Sequence, residues 1–242
     1  MKKIVLIISI AFFGINTTNA QWWGNSEKVK GDGNVVTKTR SISDYDKIKV
    51  NGSLKVNLVA GKEDKITIKS DKNLMQYIVT EQEGDLLKIY VKKGYYLRPS
   101  SGIKISVPFE DISMVALYGS GNITGKDMIK TEDLDVILSG SGDISLAVTT
   151  KDLSGVISGS GDIELNGKSE YFEGKVSGSG DFEAFDLTTK NMKALISGSG
   201  EIEITATESV EAKISGSGDV TYKGNAIIKS KKIAGSGSVT SL

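Results

Sequence analysis

Seven residues recurring 18 to 21 places apart hold the side chains with the clearest chemical potential: Asn122, Asp143, Asp162, Asp181, Glu201, Asp219 and Ser238. Five of them are carboxylates. A file of carboxylates could coordinate a hard cation such as Ca²⁺, which takes oxygen ligands, with Asp143, Asp162, Asp181 and Asp219 as the metal ligands. The same residues have a plainer use, since an Asp beside a tight turn accepts hydrogen bonds from the turn N–H groups. Glu201 is one methylene longer and Ser238 is neutral, which breaks the uniformity that regular metal loading needs. The Gly-Gly-x-Gly-x-Asp-x pattern of calcium-loaded β-rolls is also missing. Calcium is the only cofactor these residues raise.

Acid–base chemistry is the other use for paired acids. Asp143 with Asp162 could act as acid and base on a polysaccharide, but a carboxylate repeated in nearly every unit fits a scaffold position better than a single active site. The sequence contains no His and no Cys, which excludes histidine-assisted triads, cysteine nucleophiles and the usual zinc shells. No Gly-Lys-Ser/Thr follows the glycine runs, so they are not phosphate loops. An enzyme is not expected. A binding surface is the stronger alternative, and Tyr95 and Tyr96 beside Arg98 are the candidates for glycan contact, with Tyr118, Tyr171, Phe185 and Tyr222 either adding to such a surface or serving as core or cross-strand packing.

The elements that must position these residues are set by seven Gly-Ser-Gly triplets, starting at Gly119, Gly140, Gly159, Gly178, Gly198, Gly216 and Gly235. A unit of about 19 residues is too short for a helical hairpin, and the text between triplets is rich in Ile, Val, Thr, Phe and Tyr, as in a solenoid of β-strands. Two places after each second glycine stand Ile123, Ile144, Ile163, Phe182, Ile202, Val220 and Val239. Before the triplets runs a second bulky column, Leu138, Ile157, Val176, Ile196 and Ile214, which the reading continues with Ala234. Further back lie small residues, Gly155, Gly174, Ala194 and Ala212, and then Leu134, Leu153, Phe172, Met192 and Val210. Period-two spacing puts these columns on one face, and the small column marks a close approach of the walls. The stretches 149–152, 167–170, 187–191 and 205–209 are read as variable loops.

Upstream, Ile48 to Val50, Leu54 to Leu58, Lys65 to Ile68, Leu86 to Val91 and Ile103 to Val107 alternate apolar and polar residues, as half-buried strands do. Residues 72–80 allow either a short helical segment or a loop and strand. Pro108 is expected at a strand edge or end. At the start, Lys2 and Lys3 precede an apolar run, Ile4 to Gly14, and a small-residue site ending at Ala20, the plan of an export signal. At eleven residues the run is too short to span a bilayer as a helix. The expected organisation is therefore signal 1–20, tail 21–34, N-terminal β region 35–114 and repeat solenoid 115–242, with no transmembrane segment in the mature chain. Removing the signal takes the formal charge from zero to −2. With no basic stripe interleaved with aromatics, nucleic acid is not an expected partner.

The run Ser158-Gly159-Ser160-Gly161-Asp162-Ile163 with its variants, Gly31-Asp32-Gly33-Asn34, and Tyr45 to Gly52 resemble the autotransporter adhesin head family, also called GIN domains. The resemblance spans about residues 30 to 240 and implies an exported bacterial protein with an all-β, right-handed parallel β-helix. It carries no catalytic residues. It implies adhesion through an extracellular glycan or an envelope protein, in the periplasm, at the outer-membrane surface or outside the cell. A structural envelope component is the alternative, and the open edges of a solenoid make a homo-oligomer a further expectation.

Overall fold

The computed structural model describes residues 26–242. The export signal read in residues 1–20 lies outside the described residues. The protein is an all-β, right-handed parallel solenoid of about 19-residue coils. In chain order its strands are β1 (Glu27–Lys30), β2 (Val35–Ser41), β3 (Lys47–Asn51), β4 (Lys55–Ala60), β5 (Lys65–Asp71), β6 (Ile78–Glu83), β7 (Leu86–Val91), β8 (Tyr95–Arg98) and β9 (Lys104–Phe109). They continue as β10 (Met114–Gly119), β11 (Asn122–Gly140), β12 (Asp143–Gly159), β13 (Asp162–Gly178), β14 (Phe182–Gly198), β15 (Glu201–Gly216), β16 (Asp219–Lys223), β17 (Ile227–Gly235) and β18 (Ser238–Ser241).

Each of β11 to β15 forms most of one coil, and neighbours pair in parallel with glycine on glycine: Gly140 on Gly159, Gly159 on Gly178, Gly178 on Gly198 and Gly198 on Gly216. The first glycine of a triplet has φ near +133°, a conformation that L side chains rarely adopt. A Cβ there would also run into the carbonyl of the glycine one coil below; at Gly198 it would fall 2.1 Å from Gly178 O. The following serine donates its N–H to that same carbonyl level, as in Ser199 N to Gly178 O at 2.9 Å. Glycine is thus required both for the turn and for the coil spacing.

The two bulky columns meet in the core. From Ile123 to Val220 and from Leu138 to Ile214 no member is more than 3% exposed, and burial of each such side chain contributes roughly 1.5–3 kcal/mol. The small column is explained by aromatic bulk. A Cβ on Gly155 would lie 2.6 Å from Phe182 Cε1, and one on Gly174 would lie 2.9 Å from Phe172 Cε1. Those two rings pack edge to face at 5.6 Å.

Two expectations are corrected by the register. Ile214 pairs with Ile233, and Ser215 pairs with Ala234, so the bulky column runs on through Ile233 and Ala234 replaces the serine that precedes the other triplets. The stretches read as loops are corners inside continuous strands: Thr149 and Thr150 pair with Lys168 and Ser169, and at the later corners the pairing continues with register shifts. Corner hydroxyls add to this pairing, Thr150 Oγ1 donating to Glu132 O at 2.7 Å.

The upstream strands continue the solenoid. Through β10, one wall passes to β3 and β7 in parallel and ends on antiparallel β6. The other passes from β11 to β4 and β9, then to antiparallel β5 and β2. Pro108 sits inside β9 opposite Val59, beyond the three residues that β5 covers, where a missing N–H leaves no ladder bond broken. Residues 72–77 form a 3-10 turn that buries Leu74 and Met75, and β6 follows at once. No helix among the described residues is long and apolar enough to cross a membrane.

Candidate functional site

The carboxylate file stands on the outer side of the first arm of each coil, one residue before the buried column. Asn122 lies on Asp143, Asp143 on Asp162, and Glu201 on Asp219. Its members bond to the chain itself. Asp162 Oδ1 accepts the Asp181 N–H at 3.1 Å, Asp181 Oδ1 accepts the Glu201 N–H at 2.6 Å, and Asp219 Oδ1 accepts the Ser238 N–H at 2.7 Å. Asp143 Oδ2 accepts from the Asn122 amide at 2.6 Å. Among the described residues no three His, Asp or Glu side chains converge as a metal site would require. The adjoining Glu203 carboxyl is raised above the usual range by desolvation first, then by the charges of Glu201 and Glu183.

Followed toward the N-terminus, the same file changes sign. Asn122 lies on Lys55, and Lys55 lies on Lys104. These two lysines border a cleft of about 370 Å³ between the β3–β4 turn and the segment from β8 to the start of β9, with Ser53, Tyr96, Ser101 and Gly102 among its walls. Both lysines are exposed. Neither forms an ion pair among the described residues.

Alternation along β8 sorts the predicted aromatic cluster. Tyr95 and Leu97 are half-buried, whereas Tyr96 and Arg98 are exposed. The Tyr95 ring packs on Tyr77 at 4.4 Å. The Tyr96 ring is 52% exposed, with the Arg98 guanidinium 6.0 Å from its centroid, at the outer limit for cation–π attraction. Tyr95 and Tyr96 line the cleft.

The outer lip of this cleft is held by a buried carboxylate. Asp71, at the end of β5, is 0% exposed. It accepts the Ser100 hydroxyl at 2.6 Å, the Ser100 N–H at 2.9 Å and the Gly33 N–H at 2.8 Å. A Cβ on Gly31 would strike it at 2.4 Å. The Ser100 hydroxyl, followed after the opposing effect of burial by the Ser100 and Gly33 amides, holds the carboxyl below the usual range. Asp71 therefore fastens the Gly31–Asn34 segment and the Pro99–Gly102 segment together.

A wider groove of about 590 Å³ runs along the second arms of the coils, bordered by Asp133, Asp152, Tyr171, Asn191 and Lys193. Tyr171 is 49% exposed, and Asp152, Tyr171 and Asn191 are successive rungs of one file. Its central acid is satisfied internally: Glu173 pairs with Lys175 at 2.6 Å and Lys193 at 3.3 Å. Lys175 is the main reason that its carboxyl is lowered.

Sequence reasoning missed Lys55 and Lys104. The signal was present: Gly52-Ser53-Leu54-Lys55 stands where later coils have Gly-Ser-Gly-Asp, and alignment from the first full triplet stops short of it.

The family profile described as "Putative auto-transporter adhesin, head GIN domain" matches residues 44–226. The chain belongs to this family. Among solved structures, a protein of Parabacteroides distasonis named "Putative lipid binding protein" is 32% identical, with a TM-score of 0.73, and the match covers 89% of this chain and 100% of that one. A Bacteroides fragilis protein named "a putative adhesin" has a TM-score of 0.84 at 22% identity, covering 88% of this chain and 100% of that one. A similarly named Parabacteroides merdae protein has a TM-score of 0.72 at 24% identity, covering 89% and 99%. These last two likenesses bear on the fold alone. No curated protein matches the chain.

Proposed function

We propose that this GIN-domain protein is an exported surface adhesion module that binds carbohydrate in the Tyr96 cleft. The observation that carries the reading is an aromatic ring half open to solvent on the wall of a concave site, beside hydroxyls and amines able to bond to sugar hydroxyls. Tyr supplies a large contact area with a polar tip at low entropic cost. The solenoid contributes rigidity: the β3–β4 turn is part of the hydrogen-bonded stack, and Asp71 fixes the opposite lip, so little ordering cost falls on binding. The family's adhesin description and the export signal read in residues 1–20 support a place at the cell surface or in the periplasm.

The carboxylate file belongs to the scaffold in this reading, each acid tying one coil to the next. An acyl chain, as the name of the Parabacteroides distasonis relative would suggest, needs an apolar interior, and the interior between the walls is filled by the two bulky columns.

The test is a screen of the full chain against immobilised glycans, repeated with Tyr96→Ala. Saturable binding that falls at least about tenfold in the variant, at unchanged melting temperature, supports the reading. Binding that Tyr96→Ala leaves intact moves the site elsewhere, and absence of glycan binding defeats it.

A further inference from the structure

We infer that the sugar recognised in the Tyr96 cleft is anionic, carrying a carboxylate or a sulfate, and that Lys55 and Lys104 are the residues that read its charge. This rests on the carbohydrate reading above and names the ligand class for that site. Three observations carry it.

The first is the change of sign within one file. The position one residue before the buried column is Asp or Glu in five coils, from Asp143 to Asp219, and becomes Asn122, Lys55 and Lys104 on reaching the cleft. Scaffold use explains the acids: Asp162, Asp181 and Asp219 accept N–H groups from the next coil, Glu201 accepts the Thr221 hydroxyl and Asp143 accepts the Asn122 amide. A lysine has only donors and cannot serve in that way.

The second is the juxtaposition. In-register residues on neighbouring parallel strands stand about 4.8 Å apart on the same face, so Lys55 and Lys104 leave the sheet side by side, and like charges directly opposite are destabilising. β4 has neighbours on both sides, β11 and β9, so Lys55 is not guarding an open edge, the usual structural reason for a lysine on a strand. Asn122 separates Lys55 from the first acid of the file, and the Asp143 carboxylate is already bonded to that Asn122 amide. An anion between Lys55 and Lys104 relieves the repulsion.

The third is the composition of the cleft. Its walls contain Lys55 and Lys104 and no acidic residue, while the Tyr171 groove on the flank is bordered by five acids against two lysines, Lys193 and Lys229. A ring carrying a negative group is accepted at the first and repelled at the second.

The experiment divides the glycan screen into neutral members and members bearing uronate or sulfate, and probes both with the full chain, with Lys55→Gln/Lys104→Gln and with Lys55→Arg/Lys104→Arg. Acidic glycans are expected among the binders, with affinity falling at least about tenfold in the Gln variant, holding in the Arg variant, and weakening steadily with added salt as exposed charge pairs do. The Gln variant is expected to melt no lower than the parent, because a repulsion has been removed. Binders drawn only from the neutral set, lost in Tyr96→Ala but not in the Gln variant, overturn this inference and leave the carbohydrate reading standing. A chain that binds neither set overturns both.

Discussion

Gly155 and Phe182 fit so closely that a Cβ on residue 155 would lie 2.6 Å from the ring. Phe182 stands in a column otherwise held by Ile and Val, and the bulk of its ring, packed edge to face on Phe172, is accommodated by the missing side chain at 155, as that of Phe172 is by the one at 174. The solenoid core is therefore a matched set of volumes and not a uniform apolar filling. Gly155→Ala should cost about 1–3 kcal/mol through overpacking, which for a chain of this size lowers Tm by roughly 2–4 °C per kcal/mol. Gly155→Ala combined with Phe182→Leu should lose less than the sum of the two single changes, and calorimetry on the four proteins measures that difference.

The triplet turn fails in a different way. At Gly198 both the backbone, at φ +135°, and the space, 2.1 Å to Gly178 O, exclude a side chain. The obstacle is backbone, which cannot rotate away as a ring can. Gly198→Ala should therefore destabilise more than Gly155→Ala, and a second-site change should not rescue it. Urea unfolding of the two variants side by side provides the check, and a smaller loss at Gly198 would count against the assignment.

The carboxylate file should behave as a set of hydrogen-bond acceptors. Asp181→Ala removes the acceptor of the Glu201 N–H and is expected to cost about 1 kcal/mol. Because the file serves the backbone, melting curves recorded with calcium and with chelator should coincide. A cation bound only by the folded state would raise Tm with its concentration, and such a rise would return these residues to metal binding.

Asp71 gives the fold a pH dependence with a definite sign. Its carboxyl is held below the usual value near 3.9, so the folded state prefers it ionised. The stabilisation is complete above about pH 5 and is lost as pH falls through the lowered folded value. The difference in unfolding free energy between the parent and Asp71→Asn should be constant near neutrality and close below about pH 4. A gap unchanged down to acid pH would mean that ionisation plays no part in holding the Gly31–Asn34 segment.

Much of this architecture was legible because a solenoid repeats its register. Each column fills one line of the core, so seven copies of a triplet align the Ile, Leu and Phe positions without three-dimensional information. Legibility failed where the repeat is interrupted. The last unit departs from the repeat, with Ala234 where the others have serine and a ladder slip between Val210 and Glu211, and there Ala234 took the place in the bulky column that belongs to Ile233. The corners at 149–152 and 187–191 carry polar residues that read as loops, yet their main chains stay paired, because a parallel stack satisfies backbone groups around a bend as readily as along a wall. The cleft was hidden for another reason. Tyr96 stood out in the text, but Lys55 and Lys104 lie 49 residues apart in the sequence, and only the pairing of β4 with β9 sets them side by side.

The Tyr96 cleft is the proposed meeting place of this protein and its ligand. The most direct measurement is a titration of the isotope-labelled chain with the tightest glycan from the screen, followed by backbone amide shifts. The expected result is saturable shifts confined to residues 52–55 and 96–104. Shifts centred on Asp152, Tyr171 and Asn191 in the flank groove, or along Asp143 to Asp219, would contradict it.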